Sequence, residues 1–183
     1  MYSVDHRLIK KRRLAAILCA FSAAWILLIF SWSLKPADIS SNESSWVLSV
    51  AVKILPFLTE HLVRKAAHFT EFFVLGILLC AGCRAVFDAK AMAPAGCQKS
   101  PAIKGRTEPT LRVQKRSPAI AIAAGIGLIT AICDELIQLG VPGRSCQITD
   151  MLLDFCGVLT GALIMAASLK VRQKGQKKVK PGP

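Results

Sequence analysis

Acidic residues, aromatic residues and nucleic-acid-binding motifs are all scarce or absent in this chain. Its 183 residues include 11 Asp and Glu against 24 Lys and Arg, which gives a formal net charge of +13, and only 7% are aromatic. Nucleic-acid-binding proteins of similar charge interleave aromatic side chains with the basic ones or carry a known motif. Because neither feature is present, we expect no nucleic-acid partner.

Paired cysteine motifs and familiar nucleophile motifs are also lacking. The seven cysteines are an odd number, and Cys80-x-x-Cys83 has no second pair along the chain. This spacing argues against a structural zinc site. No H-E-x-x-H or G-x-S-x-G stretch occurs, so no established catalytic motif indicates an enzyme.

Apolar residues are what the chain has in excess. They make up 53% of the sequence, and the mean hydropathy is +0.47, so a soluble domain of this size would expose too much apolar surface. A membrane-spanning helix needs about 20 mostly apolar residues. Four blocks have this character, and we predict an all-α polytopic membrane domain over 14–169 with spans at about 14–33, 66–82, 118–139 and 149–169.

Lys and Arg residues concentrate in three segments between or beyond these blocks. The segments are the tails 1–13 and 170–183 and the Pro- and Gly-containing loop 88–117. Since Lys and Arg accumulate on the cytoplasmic side, both termini and this flexible loop are predicted to be cytoplasmic. On the other side, apolar residues at helical spacing between 47 and 58 predict an extra interfacial helix before the second span.

Ionisable residues cluster where the second block starts, the third ends and the fourth starts. Successive spans run in opposite directions, so these three places lie on one side of the membrane, which the charge distribution predicts to be the outer side. Such residues normally face a protein interior or a wet cavity. We predict a polar, ligand-binding pocket there, made of Arg64, Lys65, His68, Glu71, Asp134, Glu135, Gln138, Arg144, Asp150 and Asp154.

Helical spacing indicates which of these residues share a face. Arg64, His68 and Glu71 follow one another at i, i+4 and i+7, which places them on the same side of a helix. Asp150 and Asp154 continue at the same spacing into Gly157-x-x-x-Gly161. Small residues allow another helix to approach closely, so we expect a neighbouring helix against the face that carries the carboxylates.

The charges of this group do not balance. Its five carboxylates, on Glu71, Asp134, Glu135, Asp150 and Asp154, exceed the three fixed cations on Arg64, Lys65 and Arg144 by two. Four arrangements would relieve the surplus: protonation of His68, a carboxyl group that stays neutral, a bound cation, or exposure of Asp134 and Asp150 to solvent.

The stretches that hold these residues resemble signatures of the VanZ-like family of bacterial membrane proteins. The first signature is similar to 63–76, and the second to 133–138, 143–145 and 150–157; Phe30-Ser-Trp-Ser33 resembles the opening motif more weakly. The resemblance covers nearly the whole chain apart from the basic loop and the tails. It implies a location in the bacterial cytoplasmic membrane.

The same resemblance implies which residues form the family's polar signature. They are Lys65, His68, Glu71, Asp134, Glu135, Gln138, Arg144 and Asp150. Asp154 occupies a position where we expect the family often to carry Asn, which adds one negative charge, and the loop 88–117 is also atypical. The family takes its name from a protein of glycopeptide-resistance clusters, so lowered susceptibility to teicoplanin is an implication of the resemblance alone.

Three functions remain open at this point. In the first, the pocket binds a lipid head group, a lipid-linked wall precursor or a glycopeptide at the membrane surface. Alternatively, the protein is an enzyme acting on such a lipid, with His68 as general base oriented by Glu71 or Asp134, with Glu135 as a further catalytic candidate, or with a divalent cation held by several carboxylates. A small transporter ranks third, because transport sites usually lie near the membrane midplane.

Overall fold

Four long helices make up most of the part of the chain that the structure describes. A computed structural model describes residues 6–36, 45, 49, 59–92 and 118–179, with side-chain surroundings as far as 171. The helices are α1 (His6–Ser33), α2 (Glu60–Met92), α3 (Ala119–Leu139) and α4 (Ile148–Val179). Each is long and apolar enough to cross a membrane. The predicted all-α architecture with four spanning helices is therefore confirmed.

The helices α2 and α4 extend beyond the predicted apolar blocks. Because α2 continues to Met92, residues 88–92 of the predicted basic loop are helical. The remainder of that loop, 93–117, lies outside the described residues. So does the predicted interfacial helix at 47–58, apart from Ser49, which is helical.

The helix α2 is the centre of the bundle. It packs against each of the other three helices and most extensively against α4, while α1 and α3 share a smaller interface. Within the described ranges, α1 and α4 do not touch. The core lies between α2 and its neighbours and consists of Ile29, Phe72, Leu75, Leu79, Cys80, Ala123, Ala131, Val158 and Ala162.

Glycines bring the backbones of α2 and α4 into direct contact. A Cβ atom at Gly157 would lie 2.7 Å from the carbonyl oxygen of Phe69, and one at Gly161 would overlap the carbonyl oxygen of Phe73. Real Cβ atoms do not come this close to a backbone atom. The predicted close approach of a helix to the Gly157–Gly161 face is confirmed, and the approaching helix is α2.

The outer surface of the bundle is apolar along most of its length. Large hydrophobic side chains are exposed on every helix, among them Phe21 and Leu27 on α1, Leu62 on α2, Ile129 on α3 and Leu163 on α4. A soluble protein rarely shows so much contiguous apolar surface. The surface therefore suits lipid, and the chain is a multi-pass membrane protein.

Candidate functional site

Polar side chains from all four helices meet at the end of the bundle where α1 and α3 finish and α2 and α4 begin, hereafter the polar end. Ser33, the last residue of α1, donates a hydrogen bond of 2.6 Å to Oδ1 of Asp134 on α3. Lys65 of α2 forms an ion pair with Asp150 of α4. These cross-helix contacts join α1 to α3 and α2 to α4 at the polar end.

Asp134 is held rigidly at the centre of this group. Its side chain is fully buried, and its second oxygen, Oδ2, accepts a 2.9 Å hydrogen bond from Nε2 of Gln138, one turn further along α3. With Ser33 on Oδ1, both carboxylate oxygens have a partner. Each oxygen still has a lone pair free to accept another interaction.

His68, Asp134 and Asp154 form a compact group that we call the buried cluster. Each offers a nitrogen or oxygen atom within 4.8 Å of those of the other two. Asp154 is 0% exposed, and neither of its oxygens has a hydrogen-bond partner among the described residues. Nδ1 of His68 lies 3.9 Å from Oδ1 of Asp154, which is too far for a hydrogen bond.

Glu135 has a different surrounding from its neighbour Asp134. Its buried carboxylate accepts a 2.8 Å hydrogen bond from the backbone N–H of Gln147, the residue before α4. The loop between α3 and α4 turns at Gly143, whose φ of 76° suits glycine. Glu135 therefore fixes this loop, and with it the position of Arg144, rather than contributing to the buried cluster.

Three cations at the polar end, Arg64, Lys65 and Arg144, are called the cationic rim. Arg64 and Arg144 lie within electrostatic range of His68 in the buried cluster, and Lys65 pairs with Asp150. The half-buried guanidinium of Arg144 has no hydrogen-bond or ion-pair partner in the part of the chain that the structure describes. Burial lowers the pKa of Arg144, and the nearby charge of Arg64 lowers it further, while Asp134, Glu135 and Glu71 oppose the effect. Arginine nevertheless stays protonated at neutral pH, so two guanidinium charges lie close together.

The structure also decides one of the four ways to relieve the charge surplus. The predicted exposure of Asp134 to solvent is wrong, because its side chain is fully buried in the bundle. Asp150 is balanced by Lys65. The other four carboxylates, on Glu71, Asp134, Glu135 and Asp154, then remain opposite Arg64 and Arg144, so the surplus of two persists.

Two contacts at the polar end were missed in the sequence. Ser33 belongs to the stretch 30–33 that resembles a family motif, and this was the available signal for its role. Trp25 donates a 2.9 Å hydrogen bond from Nε1 to the backbone carbonyl of Glu71, a contact for which the sequence holds no signal. Lys65 pairs with Asp150 on α4, a partner that spacing along a single helix does not indicate.

Comparison with known proteins identifies one family. The sequence profile of VanZ/LLP1 matches residues 17–169, a range that includes most of α1 and α4, all of α2 and α3, and every residue of the polar end described above. No curated protein and no solved structure matches the chain.

Proposed function

We propose, for a chain that belongs to the VanZ/LLP1 family, that the polar end is a pocket that binds the anionic head group of a cell-envelope lipid. A lipid-linked wall precursor, whose phosphate is esterified to a long hydrocarbon chain, has this chemistry. The pocket faces outward from the bacterial cytoplasmic membrane, with both termini in the cytoplasm. Lowered susceptibility to teicoplanin would follow from the capture of such a precursor, or of the glycopeptide itself, at this surface.

The uncommitted guanidinium of Arg144 is the observation that carries the proposal. It lies close enough to Arg64 for the two charges to repel each other. Of the three acids nearby, two are hydrogen-bonded elsewhere: Glu135 to the backbone of Gln147, and Asp134 to Ser33 and Gln138. A phosphate between two guanidinium groups would accept charge-assisted, bidentate hydrogen bonds. An anionic ligand would therefore supply the partner that Arg144 lacks.

The position of the pocket also suits a lipid. The polar end lies where the spans finish, while the sides of the bundle are apolar. Lipid head groups lie at this same level, above the hydrocarbon core of the bilayer. A lipid would thus keep its chain in the membrane while its phosphate reaches the cationic rim.

Arg144→Ala tests the proposal against Arg84→Ala as a matched control. Arg84 lies on α2 near the opposite end of the bundle, 3.7 Å from Asp88, so its loss removes the same charge away from the site. Lipids that co-purify with the full chain in detergent would be identified by mass spectrometry. We expect anionic lipid on the wild type and on Arg84→Ala, and its loss from Arg144→Ala.

The same variants would be compared for protein level and teicoplanin susceptibility in cells. The proposal would be contradicted if all three proteins carried equal amounts of anionic lipid. It would also be contradicted if, at equal protein level, the Arg144→Ala and Arg84→Ala strains had the same lipid content and the same teicoplanin susceptibility.

An enzyme acting on the same lipid is the second candidate function. The observation in its favour is the imidazole of His68, whose Nδ1 is buried without a hydrogen-bond partner in the described structure and close to two carboxylates. Such a nitrogen is suited to accept a proton. This activity would be established if the wild type released phosphate or the head group from a purified lipid and His68→Gln did not. If the wild type released neither, binding without catalysis would remain as the proposed function.

A further inference from the structure

We propose that the buried cluster of His68, Asp134 and Asp154 binds one divalent metal ion of the zinc or manganese class. This inference does not depend on the head-group proposal, because it concerns the interior of the polar end and not the cationic rim. It rests on unpartnered buried atoms, on their separation, on the charge of the group and on the hydrogen bonds behind it.

Among the described residues, the buried carboxylate of Asp154 lacks a hydrogen-bonded partner that would balance its charge. Its side chain is 0% exposed, and within the described ranges neither carboxylate oxygen has a hydrogen-bond partner. Buried carboxylates are normally paired, hydrogen-bonded or bound to a metal. The imidazole of His68 lies beside it, but its Nδ1 is 3.9 Å from Oδ1 of Asp154 and also lacks a hydrogen bond.

The separations suit a metal ion better than a direct contact. Zinc binds nitrogen and oxygen ligands at about 2.0–2.2 Å, which puts two ligand atoms of one ion about 3–4 Å apart. Nδ1 of His68 and Oδ1 of Asp154 are 3.9 Å apart. All three ligand atoms lie within 4.8 Å of one another, and a bound ion would draw in the carboxylate of Asp154, which no hydrogen bond within the described ranges holds in place.

The charge of the cluster equals that of one divalent ion. Two carboxylates and a neutral imidazole carry a charge of −2, and the described polar end has a surplus of two carboxylates after its cations are counted. Glu71, Glu135 and Asp150 also lie within electrostatic range of Asp154. A divalent ion would cancel the surplus where the carboxylates are most deeply buried.

The surroundings of Asp134 resemble the outer shell of a metal site. Ser33 and Gln138 each donate a hydrogen bond to one of its oxygens, and such partners orient a ligating carboxylate. Since each oxygen has a second lone pair, both hydrogen bonds are compatible with metal coordination.

The donor set indicates the kind of ion. One imidazole nitrogen with two carboxylate oxygens suits zinc or manganese, whereas calcium and magnesium prefer oxygen alone and copper(I) prefers sulfur. Three protein ligands also leave a coordination position for water or a ligand oxygen.

Metal titration of the full chain tests the inference. Detergent-purified protein, stripped with a chelator, would be titrated with Zn²⁺ and Mn²⁺, and the bound metal measured by mass spectrometry. We expect one equivalent in the wild type and in Asp88→Asn, a control that removes a carboxylate near the other end of α2. Asp154→Asn should lose stoichiometric binding, and Ser33→Ala should bind about 10- to 100-fold more weakly.

A spectroscopic measurement on the wild type covers the case in which Asp154→Asn does not fold. Pulsed electron paramagnetic resonance of bound Mn²⁺ should show the nitrogen coupling of one imidazole, lost in His68→Gln. Absence of metal from the wild type, bound Mn²⁺ without that coupling, or equal binding by folded Asp154→Asn would overturn the inference. Arg144→Ala should retain the metal, so failure of lipid binding and failure of metal binding are separate outcomes.

Discussion

Gly157 controls how closely α2 approaches α4, and Gly157→Ala should therefore destabilise the bundle. The added Cβ would lie 2.7 Å from the carbonyl oxygen and 3.1 Å from the amide nitrogen of two residues on α2, Phe69 and Phe73. Both atoms belong to the backbone and have no rotamer by which to move away. The two helices must therefore move apart at this point. Because Phe69 directly follows His68 and Gly157 lies one turn after Asp154, the separation would also affect the buried cluster.

The expected size of the effect follows from two opposing terms. Overpacking a well-packed interior costs about 1–3 kcal/mol, and a contact with rigid backbone belongs in the upper part of that range. Alanine is a better helix former than glycine by about 1 kcal/mol, which offsets part of the cost. We expect Gly157→Ala to lower the free energy of unfolding by about 1–2 kcal/mol.

The control is Gly125→Ala on α3, where a Cβ atom would meet nothing within 4 Å. It has the same change in helix propensity without the overlap. Reversible unfolding in mixed detergent micelles, followed by circular dichroism, would give both free energies. The reasoning is refuted if Gly157→Ala is as stable as Gly125→Ala.

Two further predictions concern single contacts at the polar end. A double-mutant cycle of Lys65→Met and Asp150→Asn should give a coupling free energy of about 0.5–1 kcal/mol, because both side chains are about a quarter exposed (27% and 25%). A coupling free energy of zero in the same unfolding assay would contradict the ion pair. Ser33→Ala should lower the unfolding free energy by about 1–3 kcal/mol, since it removes a donor from buried Asp134. Ser31→Ala, which loses only an exposed bond within its own helix, should be nearly neutral, and equal effects of the two serine variants would rule out a special role for Ser33.

The spans and the convergence of the charges could be predicted because both depend on simple periodicities. A block of about 20 apolar residues matches the thickness of the bilayer. Because successive spans run in opposite directions, the end of one span and the start of the next lie on the same side of the membrane. The spacing of four residues from Asp154 back to Asp150 and the stripe at Gly157 and Gly161 likewise follow from the helical repeat.

The neighbour relations within the bundle could not be predicted in the same way. Alternation decides direction but not which helix packs against which, so the contact between Ser33 and Asp134 depends on the packing of α1 beside α3. The hydrogen-bond partner of Glu135 also cannot be predicted from helical periodicity. Adjacent residues differ by about 100° around a helix, and the partner of Glu135 is a loop backbone amide whose position depends on the turn at Gly143.

Thiol cross-linking tests most directly whether acids and bases from separate helices form one site at the polar end. In a chain without native cysteines, Ser33→Cys with Asp134→Cys, and separately His68→Cys with Asp154→Cys, would be treated with an oxidant or a short bifunctional thiol reagent. The positive control retains Cys19 and adds Gly82→Cys, whose Cβ would lie 3.7 Å from Sγ of Cys19. We predict cross-links within one chain for all three pairs. A cross-linked control together with two unreacted polar-end pairs would contradict the existence of the site.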